Sequence, residues 1–149
     1  MAKTFSVDNP DALAQAVAGL ESALAEPTLR RAAAAGATVF KNEVFRYVPR
    51  DTGDLAKGLT VVYLPEDSST GHLATYEVLF VGDTTTKNAG SNKRGTKRNV
   101  SRKALAGWLE NGASGRAARP FVRPSFEARK EDAAEAANKV INEALQGKG

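Results

Sequence analysis

The chain has 149 residues, with 21 basic against 17 acidic side chains, and it lacks cysteine. That length suits a single domain, and the missing thiols exclude a disulfide framework, a thiolate metal site and a cysteine nucleophile. One histidine, His72, is too few for a zinc triad, and no apolar run approaches a membrane span.

The hydrophobic fraction of 42% conceals a bias, because 26 of those residues are alanine. Leu, Ile, Val and Phe together number only 31, near the level at which chains stop folding. A thin core is expected, one that gains from neighbouring subunits. The start, Met1-Ala2-Lys3-Thr4-Phe5, has no signal-peptide core. Use in a cytoplasm, or in a particle assembled there, is expected.

Asp8-Asn9-Pro10 is a helix start, with a capping side chain before proline. Leu13, Val17, Leu20 and Leu24 then fall on one helical face. Pro27 closes this helix or opens the next, which is predicted over 28–48 with Leu29, Ala33, Gly36, Phe40, Val44 and Tyr47 as its stripe. The run from Ala32 to Ala37 is small enough to admit another helix or strand closely. Pro49 stops that helix. Asp51-Thr52-Gly53-Asp54-Leu55 reads as a turn, with Thr52 or Asp54 capping a short helical turn.

Residues 59–64 and 72–81 read as two strands, paired antiparallel. Residues 83–103 then carry Lys87, Lys93, Arg94, Lys97, Arg98, Arg102 and Lys103 against Asp83 alone, a local charge of +6. From 83 to 100 the stretch is also rich in Gly, Asn, Ser and Thr, which predicts a long flexible basic loop. Two roles compete for it: ordering against an acidic neighbouring subunit, or contact with nucleic-acid phosphates. No aromatic residue is interleaved, so such binding would be non-specific.

Ser101 caps a short helix through Trp108 and Leu109, and Gly112 supplies its left-handed stop. Arg119-Pro120-Phe121-Val122-Arg123-Pro124 is expected to be largely extended, because each proline biases its predecessor away from helix. A last amphipathic helix is predicted from Pro124 or Ser125 to about Leu145, with a frayed tail over 146–149. The whole, 1–149, reads as one α+β domain: long helices packed on a small, mostly antiparallel sheet.

Chemistry is harder to find. Gly90-Ser91-Asn92-Lys93-Arg94-Gly95-Thr96-Lys97 has the glycine spacing of a phosphate-binding loop, but its last two residues are reversed and its approach is polar. Asp51 and Asp54 fit a turn and cap better than paired acids or magnesium ligands. Glu110 is expected to pair with Arg119 or Arg123. No nucleophile, base and oxyanion hole assemble, so no enzyme, metal or cofactor is expected.

Three short elements in order carry a resemblance. They are Pro49 to Leu55 with Thr52-Gly53-x-Leu55, then Trp108-x-Glu110-x-Gly112, then Arg119-Pro120-Phe121-x-Arg123-Pro124. Together they resemble the tail-completion, or tail-component, family of long-tailed double-stranded DNA phages, over roughly 28–145. The resemblance departs at Asn111, where the family more often has an apolar residue, and in the longer basic stretch. It implies a structural virion subunit without catalysis, forming a ring, commonly six-fold, at the neck or head-proximal tail end. Its partners would be copies of itself, the tail-tube protein, head connector proteins and packaged DNA in the channel, with no membrane. Assembly would occur in a bacterial host cytoplasm. Under this resemblance the basic side chains reach a neighbour or DNA, and Phe121 anchors the core.

Overall fold

The computed structural model describes residues 10–87 and 97–147. Helix α1 runs over Pro10–Ala23 and α2 over Glu26–Tyr47, followed by a single turn, α3, at Asp54–Lys57. Strands β1 (Leu59–Tyr63) and β2 (Tyr76–Phe80) precede β3 (Asp83–Lys87) and β4 (Lys97–Ser101). Helices α4 (Arg102–Asn111) and α5 (Val122–Leu145) complete an α+β fold.

The small-residue face of α2 serves contact within the chain. Ala32, Gly36 and Ala37 are buried there. A Cβ on Gly36 would lie 3.1 Å from the carbonyl oxygen of Ala133 in α5. One turn on, Phe40 stacks on Phe126 with ring centroids 4.7 Å apart. The helices run antiparallel and in close approach because alanine and glycine hold nothing between them.

The core gathers at the C-terminal end of α2. Val44, Val48, Leu55, Ala56, Leu59, Phe80, Ala106 and Phe121 form one buried cluster, with Val78, Leu105 and Leu109 against it. Phe80 and Phe121 meet edge to face at 6.0 Å. Burying each such bulky side chain is worth about 1.5–3 kcal/mol. With so few of them, the cluster stabilises only one end of the molecule.

Strands β1 and β2 pair antiparallel from Leu59 opposite Phe80 to Tyr63 opposite Tyr76. The second strand is shorter than 72–81, since the chain from Ser69 to Leu73 closes a turn of its own. A larger correction concerns the basic stretch. Its two ends, expected to be loop, form a second antiparallel pair running from Asp83 opposite Ser101 to Lys87 opposite Lys97. Thr84 and Val100 face each other in this ladder and are both buried. Threonine's β-branched side chain suits a pleated surface, and two buried positions give the ladder a footing. Residues 88–96, with Lys93, Arg94 and most of the glycine-rich segment, lie outside the described residues. So do the caps at Asp8 and Asn9 and the last two tail residues.

A second correction falls at 119–124. The chain is non-helical only through Phe121, and α5 starts at Val122, with no strand there. Pro124 sits in the first turn, where a missing N–H costs nothing.

Candidate functional site

The Asp-Thr-Gly-Asp-Leu turn builds a polar clamp. Gly53 takes φ +72°, which turns the chain into α3, and the Thr52 hydroxyl accepts the Asp54 N–H at 3.3 Å. Leu55 is buried in the core next door. Asp54 then meets Arg102. The guanidinium donates to the Asp54 carboxylate at 3.0 Å, to the Asp54 carbonyl at 2.9 Å and to the Val81 carbonyl at 3.1 Å. The Thr84 hydroxyl, and after it the Arg102 side chain, hold the Asp54 carboxyl below the usual aspartate value.

Space for this arginine comes from two glycines. A Cβ on Gly58 would sit 2.3 Å from the Arg102 Cδ and 2.5 Å from the Val81 carbonyl oxygen. A Cβ on Gly82, which has φ +77°, would lie 2.6 Å from an Arg102 terminal nitrogen. Its sequence position groups Arg102 with the outward contacts. Instead, its side chain is only 17% exposed and ties the base of the β3–β4 hairpin to α3. Lys103, one residue on, is exposed.

The Glu110 element is a helix cap. The carboxylate accepts the backbone N–H groups of Phe121 at 2.7 Å, Val122 at 2.9 Å and Arg123 at 2.9 Å. These are unpaired donors at the start of α5, and a negative charge there also meets the positive end of the helix dipole. The expected partnership with Arg119 is corrected accordingly, while Arg123 does meet Glu110, through its backbone N–H and its nearby charge. The Arg123 guanidinium bonds the Asn111 side chain at 2.9 Å, and Arg119 donates its backbone N–H to the Leu109 carbonyl at 2.7 Å. Desolvation raises the Glu110 pKa, but the three backbone donors and the nearby Arg123 charge outweigh it, so the carboxyl titrates below an ordinary glutamate.

Gly112, at φ +82°, turns the chain away from α4, and a Cβ there would lie 3.2 Å from the Ala118 nitrogen and the Arg116 carbonyl oxygen. Pro120 and Pro124 line a shallow hollow with Arg119, Tyr47 and Pro49. Trp108 is 40% exposed. Two of the three motif elements thus act as linked connectors, the Glu110 side chain holding the Arg-Pro-Phe segment, while the first locks onto the hairpin.

The remaining cations follow the hairpin. Lys87, Lys97 and Arg98 lie on its strands, with Lys87 opposite Lys97 and Thr86 opposite Arg98. A strand follows the glycine-rich segment, where a phosphate-binding loop requires a helix. Among the described residues no group of three or more His, Asp or Glu side chains is arranged to hold a metal. None of their helices is long and apolar enough to cross a membrane.

Two features escaped the sequence reading. Glu43 is buried on α2 and accepts the Arg129 Nε at 3.1 Å, and Arg129 also binds Asp132. Its place beside Val44 on the inner face was the available signal. The other is a wide apolar groove of about 640 Å³. Its floor is Ala33, Gly36, Ala37 and Phe40 of α2, one wall is α5 and the other is the run from Ala74 to Val78. On the α5 wall Phe126 is 50% exposed.

No protein-family model matches the chain, and searches of curated proteins and of solved structures return no match either.

Proposed function

We propose that the chain is a structural ring subunit of a phage neck or head-proximal tail end, acting in tail completion or head–tail joining, without catalysis. The observation that carries this reading is the incomplete burial of apolar surface. The core closes at one end only, while the α2–α5 groove and the outer face of α1 stay open. A subunit of a closed ring covers such surfaces by rotation of an identical neighbour. The motif residues support the same reading. Thr52, Gly53 and Leu55, then Glu110 and Gly112, then Phe121 and Arg123 brace the connections between elements, which suits a scaffold. The partners are further copies, in a six-fold ring, with tail-tube and head connector proteins at its two faces. Electron microscopy of assembled particles carrying a labelled copy tests this. Label at the neck or tail end supports the reading, and label elsewhere or nowhere on the particle rejects it.

A second reading rests on the basic hairpin. Lys87, Lys97 and Arg98 lie on one two-stranded ladder, with Lys93 and Arg94 in the segment that joins its strands. A segment with several cations and no aromatic residue suits phosphates without base-specific contact. In a ring the same hairpin would reach DNA in the channel or an acidic neighbour.

A further inference from the structure

Two uncovered apolar surfaces of this chain have opposite shapes. One is convex. Val17, Leu20 and Leu24 follow one another by three and four positions on α1 and its end, and they are 46%, 49% and 38% exposed. The other is the concave groove, floored by alanine and glycine and open beside Phe126 and Val122. Single exposed apolar residues are ordinary on a protein surface, but a row of them and a continuous trough are not.

The two do not meet within one molecule. Only Leu24 and Ala25 separate α1 from α2. The element that α1 chiefly packs against is α5, yet Val17, Leu20 and Leu24 remain exposed. Gly36 on the floor is already met by Ala133 of α5, so the surface left for a visitor is Ala33, Phe40 and the two walls, wide enough for a helix. Charge favours α1 in particular. Between Pro10 and Leu24 it carries Asp11 and Glu21 and no base, and the α5 wall carries Lys130, which is shared with Glu127. Glu77 on the opposite wall turns the acidic flank of the visitor toward α5.

We infer that the groove receives α1 of a second copy, with Val17, Leu20 and Leu24 seated between α5 and β2 and Glu21 toward Lys130. The contact is heterologous, donor stripe into acceptor groove, so it repeats from copy to copy until it closes. The inference rests on the ring reading and supplies its interface.

The natural absence of cysteine allows a direct test on the full chain. A variant carrying Leu20→Cys together with Phe126→Cys, oxidised and run on a denaturing gel, is expected to give a ladder of linked copies. Either single substitution gives at most a pair. In parallel, Leu20→Asp and Phe126→Asp are each expected to prevent assembly. Mixing them is expected to yield a one-to-one complex and nothing larger, because only one stripe and one groove remain whole. The cysteine variants cover the case in which an aspartate variant fails to fold. Wild-type assembly with no double-cysteine ladder overturns the inference and leaves the ring reading standing, the groove then taking a strand or another partner. A wild type that stays monomeric throughout overturns both.

Discussion

The Arg102 guanidinium binds the Asp54 carboxylate at 3.0 Å across 48 positions of sequence, and passes between two glycines to do so. This pair fastens the β3–β4 hairpin to the body of the protein, and it sets the first prediction. Gly58→Ala keeps an accessible backbone but places a methyl group against the Arg102 Cδ and the Val81 carbonyl. Overpacking of this kind costs about 1–3 kcal/mol. Urea unfolding should show that loss. Arg102→Lys should be destabilising as well, because an ammonium cannot bond the Asp54 carboxylate, the Asp54 carbonyl and the Val81 carbonyl in one plane.

Glu110 makes stability depend on acid. Its folded pKa lies below the ordinary value of 4.5, so its contribution is complete above that value and fades as pH falls through the folded one. Glu110→Gln retains an acceptor but replaces the charge, and turns an NH2 group toward backbone donors. A loss of about 1–2 kcal/mol is expected at neutral pH. The gap between wild type and variant should shrink as pH drops to about 3. Denaturant midpoints at the two pH values measure it. An equal gap at both would remove the carboxylate charge from the explanation.

The contrast between Ser101 and Glu110 shows how far the sequence could be read. The Ser101 hydroxyl accepts the Ala104 N–H at 3.1 Å, as its position before a helix predicts. That cap is local, and local rules found it. Glu110 caps a helix that begins twelve residues later, across a turn, and its donors are backbone N–H groups that every residue type but proline carries. Nothing in composition marks them. Arg102 is hidden for a similar reason, because its charge groups it with its basic neighbours although Gly58 and Gly82 make room for it inside. The β3–β4 ladder was missed because polarity and glycine outweighed the β-forming tendency of Thr84, Thr85 and Thr86. The helices were legible through their apolar spacing, and so was the α+β class. The groove was not, since the same small residues that signal close packing do not say which neighbour fills the space.

Gly36 tests the α2–α5 contact. Gly36→Ala sets a helix-propensity gain of about 1 kcal/mol against a contact at 3.1 Å, and should change stability little. Gly36→Leu must push α5 away or distort its rotamer, and should cost about 1–3 kcal/mol. Thermal unfolding of the two variants distinguishes them. Equal tolerance of both would show that the helices are not held at this distance.

The nucleic-acid reading predicts a salt-dependent affinity. Binding to duplex DNA should fall steeply with salt. Replacing Lys87, Lys97 and Arg98 by alanine should weaken it across unrelated sequences and flatten the slope. Fluorescence anisotropy over a salt series reads both effects. Binding that keeps its slope in the variant would remove the hairpin from the contact.

Assembly is the central claim, and molar mass tests it most directly. Light scattering on the purified chain, alone and mixed with tail tubes or connectors, should find a discrete multiple of the 15.8 kDa subunit. A single 15.8 kDa species under every one of those conditions would contradict the account.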